Sequence, residues 1–291
     1  MEEYRKKGYL KSEFKMFHLV DEKRDEFSYH YHDFAKILIF LRGNVTYHIE
    51  GRTYPLEPYD IVLVQAGEVH KPVIEASCTY ERIIIYVSPD FLSSLSDGDN
   101  DLRYCFVQAN ERNSHVIRIP SLKKSRLYQV CLQLYQAFSE EEYAASLYRK
   151  ILFVEFMIHL NRAAIDNTAD FMEMEGSNEK IVEVIRYLNG HLEEDISIDD
   201  LAQTFYLSKY YLMHRFKEET GYSIGHYLTL KRLLRARNLI QNGMPVTKAC
   251  YESGFKNYST FSRAYKKQFK TPPRYDIMSH ALSCACAKES I

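Results

Sequence analysis

No stretch of this 291-residue chain approaches the ~20 consecutive apolar residues that a bilayer-crossing helix needs, so no spanning helix and no membrane partner are expected. The opening MEEYRKKGYLKSE carries charge but no apolar centre, so no secretory signal is expected. Cysteine is sparse and scattered. Of six, Cys78, Cys105, Cys131 and Cys250 have no near neighbour, which suits reduced thiols in a cytoplasmic protein better than a disulfide framework. Cys284-Ala285-Cys286 is the one close pair, and with no third ligand nearby in sequence it reads as frayed tail. Net charge is lacking too, since 38 Lys and Arg meet 39 Asp and Glu.

That balance hides a polarity. Residues 1–175 hold 21 basic and 27 acidic residues, whereas residues 176–291 hold 17 and 12. Between Ser208 and Tyr275 there are 14 Lys and Arg against Glu218, Glu219 and Glu252, with the acids Glu193, Glu194, Asp195, Asp199 and Asp200 gathered just upstream. A field polarised in this way suits a surface that faces phosphates.

The basic stretch contains an internal repeat. Ser197-Ile198-Asp199-Asp200-Leu201-Ala202 is followed by Leu207-Ser208-Lys209-Tyr210-Tyr211-Leu212 and Phe216-Lys217. Val246-Thr247-Lys248-Ala249-Cys250 is followed by Gly254-Phe255-Lys256-Asn257-Tyr258-Ser259, Phe261, Tyr265 and Lys266. Leu212 to Phe261 and Phe216 to Tyr265 are both offsets of 49 residues. Each copy reads as a short helix, a tight turn and a longer helix, the unit that lays its second helix in the major groove of DNA. Capping chemistry supports the boundaries. Ser197 with Asp200 forms a capping box with an acid in place of the usual Glu, Ser208 caps the helix that Thr220-Gly221 ends, and Ser223 caps a helix from about Ile224 to Gln241, ended by Asn242-Gly243. Eighteen residues at ~1.5 Å each make a ~27 Å rod, suited to holding two reading helices in successive major grooves.

With Leu212 and Phe216 inward, the first reading helix offers Lys209, Tyr210, Met213, His214 and Lys217 to solvent. With Phe261 and Tyr265 inward, the second offers Asn257, Tyr258, Ser259, Ser262, Arg263 and Lys266. Tyr210, Met213, His214, Ser259, Ser262 and Arg263 are the candidate base contacts. Arg263 has the fork that pairs with guanine O6 and N7, His214 can donate to an acceptor, and Met213 can pack on a thymine methyl. Ser208, Lys217, Lys256, Asn257 and Lys266 are the candidate phosphate contacts, which position the protein without specifying sequence.

These residues, with Tyr227, Arg232-Leu233, Ala236, Leu239-Ile240, Phe261-Ser262-Arg263, Lys266-Lys267, Pro273 and Tyr275, resemble the pattern of the AraC/XylS family of bacterial transcription regulators over roughly residues 183–276. The resemblance implies a double helix-turn-helix domain that binds an asymmetric DNA site as a monomer, with RNA polymerase as a further partner and activation as the outcome. Two departures fall in the second unit. Ala249-Cys250 stands for the usual Ile-Ala, a tolerable change because cysteine packs as a small hydrophobe, and Lys270 stands for the usual Gly, which puts the local turn in question.

The N-terminal part reads differently. From about Phe14 to Ile119, runs such as Ile37–Leu41, Val45–Ile49, Ile61–Val64 and Ile83–Val87 alternate with Arg42-Gly43-Asn44, Glu50-Gly51-Arg52 and Pro58-Tyr59-Asp60, giving an all-β barrel. From Ser121 the period becomes helical. Leu127, Cys131, Leu134 or Tyr135, and Phe138 form one set and Leu147, Ile151, Val154 and Ile158 another, so an antiparallel helix pair is expected. The second helix is apolar nearly all round, so one side is assigned to the barrel and the other to a second subunit of a homodimer. The chain thus divides into an α+β multidomain protein: residues 1–120 a β-barrel sensor, 121–165 a helical hairpin for dimerisation, 166–178 a flexible linker, 179–280 the DNA-binding helices, and 281–291 a tail.

His30-Tyr31-His32 puts two imidazoles on one face of a strand, and Gln65-Ala66-Gly67-Glu68-Val69-His70 brings a third. With Gly43, this resembles the two motifs of cupin barrels, in which three His and one Glu bind metal. Lys36 stands where the Glu belongs, and a cation beside three imidazoles opposes a metal ion, so neither metal nor cofactor is expected. Tyr29, His30, His32, Lys36, Tyr47 and His70 are instead the candidate lining of a cavity for a small effector such as a sugar or organic acid, with Lys36 favouring an anionic group. The chain therefore reads as a regulator rather than an enzyme. Its rival, a metal-dependent cupin enzyme with an accessory DNA-binding domain, needs the metal that Lys36 opposes. A methyl-acceptor repair protein needs an N-terminal cysteine cluster, which the chain lacks.

Overall fold

The computed structural model describes residues 10, 12–21, 27–75, 79–96, 100–166, 168–174 and 178–276. Cys78, Cys284, Cys286 and the 281–291 tail lie outside the described residues. Two compact units, residues 1–177 and 178–291, divide the chain.

The first unit opens with strands β1 Phe14–Asp21, β2 Ala35–Arg42, β3 Val45–Ile49, β4 Arg52–Pro55, β5 Ile61–Val64, β6 His70–Ile74 and β7 Tyr80–Val87. Helices α1 Pro89–Ser94 and α2 Tyr104–Glu111 follow, then β8 Val116–Arg118, α3 Arg126–Ala137, α4 Ala145–Ile165 and β9 Asp170–Phe171. One sheet runs β1-β7-β2-β5-β8-β9 and the other β4-β3-β6.

Alternation along β2 explains the architecture. Ile37 and Ile39 pack with Phe106, Val130, Phe153 and Phe156 of the helices, while Leu38 and Phe40 pack with Tyr47 and Ile49 of the smaller sheet. The larger sheet is therefore covered on both faces, which is why its strands read as unbroken apolar runs. Lys36 shares the inner face with Leu38 and Phe40. On β7, Arg82 shares that face with Tyr80, Ile84 and Tyr86, the pairs being Lys36 with Tyr86, Leu38 with Ile84 and Phe40 with Arg82.

Four expectations change here. The span 14–119 is not all β: Ser88 caps α1 with a Pro in its first turn, and α2 buries Cys105, Phe106 and Ala109. Residues 168–174 are built into the sheet rather than linking, because β9 pairs with β8, Met172 N–H donates to Val116 O, and Phe171 and Met172 pack on the two cores. On α4 the core stripe is Leu152, Phe153, Phe156, Met157, Leu160 and Ala164, whereas Leu147 and Ile151 remain 58% and 55% exposed. Of Leu134 and Tyr135, Leu134 is the buried one. His30 and His32 do not lie in a strand; His30 makes an isolated antiparallel bridge to His70.

The second unit comprises α5 Glu179–Gly190, α6 Ile198–Thr204, α7 Lys209–Thr220, α8 Ile224–Gln241, α9 Val246–Glu252 and α10 Tyr258–Phe269. Ser197, Ser208, Ser223 and Asn257 accept backbone N–H bonds as caps, and Gly221 ends α7 at φ 75°. The capping box differs from expectation. Asp200, shorter than Glu by one methylene, takes the Ser197 hydroxyl at 2.6 Å. Among the described residues no helix is long and apolar enough to cross a membrane.

Candidate functional sites: reading helices and sensor recess

The two helix-turn-helix units flank α8 in the chain. Leu212 and Phe216 on α7, and Phe261 and Tyr265 on α10, are fully buried and leave the opposite faces to solvent. Tyr210, Met213, His214, Lys217, Ser259, Arg263 and Lys266 are exposed there, and Ser262 is half-buried. Several of these groups already have partners. Ser208 Oγ accepts from Tyr211 N, and Asn257 Oδ1 from Thr260 N, so both serve as helix caps where phosphate contacts were expected. Lys256 pairs with Asp195, and His214 Nδ1 lies 3.6 Å from Glu218. Arg263 Nε donates to Ser259 O at 3.3 Å, which leaves the end of its guanidinium facing water.

The turns of the two units are unequal. Tyr206 takes φ 54° in the first and Gly254 φ 90° in the second. The glycine is required there, because a Cβ would stand 2.1 Å from Leu192 O and 2.8 Å from Arg232 Nε. Arg232, from α8, donates to Leu192 O at 2.7 Å and to Glu194 O at 2.6 Å. This three-way joint binds the second unit's turn, the rod and the segment after α5 into one body. The upstream acids serve it as well, Glu193 pairing with Arg235 at 2.7 Å. Ala249 and Cys250 are fully buried against Phe261 and Tyr265, so this departure from the family pattern packs without loss. Lys270 ends α10 at φ 65°, a left-handed conformation that favours glycine.

In the first unit, the inner faces of β2 and β7 place two buried cations in one recess. It is lined by Phe27, His30, Lys36, Tyr47, Pro72, Tyr80, Arg82 and Ile84, and has room for about one water molecule. Lys36 Nζ donates to Tyr47 Oη at 2.6 Å, and burial, then the Arg82 charge, push its pKa down to about 7. Arg82 pairs with Asp21 at 2.6 Å and donates to Tyr80 O, while its buried Nε has no hydrogen-bond partner. Of the six residues expected around the effector, His30, Lys36 and Tyr47 line this recess and Tyr29, His32 and His70 do not. Sequence reasoning missed Arg82 and Tyr80. No local signal marked Arg82, because its inward position follows only from the register of β7 against β2.

Beside the recess, the rings of His30, His32 and His70 come together, all three buried, with centroids 4.4–5.2 Å apart. The backbone assembles them: His30 and His70 exchange N–H···O bonds of 3.0 and 2.8 Å, and Gly67 N–H donates to His32 O at 2.7 Å. Burial lowers the His32 and His70 pKa values far below the usual imidazole range, with the Lys36 charge adding to the effect, so both rings are neutral. Glu68 is not among the clustered groups, since its carboxylate accepts from Gln65 N and meets His115 Nε2 at 3.2 Å. Both nitrogens of His32 and Nε2 of His70 are buried without a partner, and one metal ion cannot satisfy both nitrogens of His32 beside the Lys36 ammonium.

A double helix-turn-helix unit with a basic balance and a β-barrel unit with a polar interior recess define a DNA-binding transcription regulator that responds to a small effector. Comparison with known proteins agrees on both units: residues 17–157 match the AraC-like ligand binding domain and residues 201–275 a helix-turn-helix domain. The transcriptional activator RhaS of Shigella sonnei (strain Ss046) is 25% identical over 257 residues, covering 86% of this chain and 87% of its own. RhaS of Enterobacter sp. (strain 638) is 26% identical over 252 residues, 85% of this chain and 86% of its own. Among solved structures, ToxT from Vibrio cholerae aligns with 92% of this chain and 99% of its own at 15% identity and a TM-score of 0.36. The chain thus joins an AraC-like ligand binding domain to a helix-turn-helix domain, as expected of the AraC-type regulators it resembles.

Proposed function

We propose that this protein is a cytoplasmic transcription activator that reads an asymmetric promoter site with α7 and α10 and is switched by a small organic acid entering the β-barrel. The observation that carries the reading is the pair of capped helices whose outer faces, Tyr210, Met213 and His214 on one and Ser259, Ser262 and Arg263 on the other, stay free of the core. Lys217 and Lys266 flank them for phosphates. The relatives named as activators support activation, which implies contact with RNA polymerase. An organic acid is favoured over a sugar because Lys36 and Arg82 bring two cations to one buried recess, which has to widen beyond its single-water volume to admit one. A carboxylate there would satisfy the unpartnered Arg82 Nε and relieve the repulsion between the two cations. The ligand acts only through a difference in affinity between DNA-competent and incompetent states. The exposed Leu147 and Ile151 on α4 support dimerisation through the helical hairpin.

Gel-shift titration of full-length Arg263→Ala against a cognate promoter fragment and scrambled DNA tests the DNA reading. A loss of ~1–3 kcal/mol, or roughly 10- to 100-fold, is expected on the cognate site alone. Equal affinity of variant and wild type for the cognate fragment would remove Arg263 from base readout.

A further inference from the structure

We propose that Tyr206, in the turn of the first helix-turn-helix unit, is a DNA-backbone contact whose phenol donates to a phosphate beside the N-terminus of α7. The assignment rests on the reading of α7 as a helix that enters the major groove, and it adds a residue that the candidate set lacked.

The two units end their first helices in the same way. After α6, Tyr206 N–H donates to Gln203 O at 3.2 Å and Leu207 N–H to Ala202 O at 2.9 Å. After α9, Gly254 N–H donates to Tyr251 O at 3.0 Å and Phe255 N–H to Cys250 O at 3.2 Å. Both are the paired bonds of a Schellman motif, which puts Tyr206 and Gly254 at the same left-handed position. Glycine takes that conformation without strain, whereas a Cβ there crowds the following carbonyl oxygen.

Nothing inside the unit offsets the strain at Tyr206. The residue is 92% exposed, and its side chain makes no hydrogen bond, ion pair or ring contact with any described residue. Among the described residues Tyr59 is the other tyrosine with a left-handed backbone, and it packs edge-on against Tyr128 at 5.6 Å and against the larger core. A strained residue that serves no packing points to a role outside the fold.

Its position names the partner. In a helix-turn-helix unit the first helix crosses the DNA backbone while the N-terminal residues of the second reach the bases, so the turn between them lies over phosphates. Tyr206 stands two residues before Ser208, the cap of α7. Ser208 Oγ is engaged with Tyr211 N and Lys209 with Asp199, so the phenol is the group at this end of the helix that offers an O–H with no internal acceptor. Tyrosine hydroxyls are among the donors that hold phosphate oxygens and fix register without reading sequence.

Full-length protein is added to two fluorescein-labelled duplexes of ~30 base pairs and unrelated sequence, at ~50 mM salt, where backbone contacts dominate, and binding is read by anisotropy. Tyr206→Phe is expected to bind both duplexes about 5- to 10-fold more weakly at an unchanged melting temperature. Its slope of log affinity against log salt should equal wild type's, because a neutral donor releases no counterion, whereas Lys217→Gln should lower the slope by ~1. Tyr206→Gly is expected to lose at least as much affinity yet to melt about 2–4 °C higher, stability and binding moving in opposite directions. Wild-type affinity of Tyr206→Phe for both duplexes overturns the assignment alone and leaves the phenol to a protein partner. A lower melting temperature in Tyr206→Gly also overturns it, since the ring would then hold the turn. Failure of the wild type to bind either duplex overturns it together with the reading of α7.

Discussion

Lys36 shows how one residue links fold, stability and sensing. Its alternation with Leu38 and Phe40 puts an ammonium inside the barrel, where burial and Arg82 lower its pKa from 10.5 to about 7. The unfolded chain binds that proton below about pH 10.5 and the folded chain only below about 7. Burying Lys36 therefore costs stability, in full below about pH 7 and progressively less as pH rises to 10.5. Lys36→Met should be more stable than wild type at pH 7, with an advantage that shrinks steadily towards pH 9. Urea denaturation at pH 7, 8 and 9 measures this, and a constant difference would show that Lys36 does not titrate in that window. Lys270 is the second costly residue. It holds φ 65° where glycine is unstrained, so Lys270→Gly should raise the stability of the helical unit by about 0.5–1 kcal/mol in thermal melts. The sequence marked Lys36 and Lys270 because each breaks a family pattern. Arg82 escaped notice because its inward position depends on the register of β7 against β2.

The elements differ in how plainly the sequence announced them. Long β-branched runs and serine-capped helices were legible, since period and caps are local signals. Strands β8 and β9 were not: three and two residues become strands only through partners distant in the chain. Helix α4 was recognised but its core face was not. It is apolar nearly all round, so periodicity could not choose between Leu147, Ile151, Val154 and Ile158 and the true stripe from Leu152 to Ala164. That ambiguity has a physical origin if α4 serves two interfaces. Leu147 and Ile151, spaced i and i+4 on one exposed face, are the test of the second. Leu147→Glu combined with Ile151→Glu should turn a dimer into a folded monomer in analytical ultracentrifugation, with unchanged circular dichroism. A variant that sediments as wild type would place the dimer contact elsewhere.

At the scale of the whole molecule, the two parts of the chain differ in charge and in chemistry. An acidic N-terminal part holds a buried polar recess, and a basic C-terminal part holds two unequal reading faces. The chain divides into two units at residues 177 and 178, and residues 168–174, expected as part of a linker, belong to the first unit's sheet. On the proposed reading the two faces carry different side chains, so the operator should be two unlike half-sites in a fixed order along one strand. Placing one extra base pair between those half-sites turns one relative to the other by roughly 34°, from ~10.5 base pairs per turn. Gel shifts on such a spaced operator should show a loss of affinity near that of losing one half-site entirely, whereas a tolerant response would mean that the two heads move independently.

The joint of Gly254, Leu192 and Arg232 makes that outcome a matter of mechanics. A glycine packed against a carbonyl with no room for a methyl group works as a caliper screw: it sets the gap, and it has no play. Adding one carbon at position 254 would wedge the jaws apart without touching a single DNA-facing side chain. Spacing preference and sequence preference are then separate traits of this protein, written in different residues and free to drift apart.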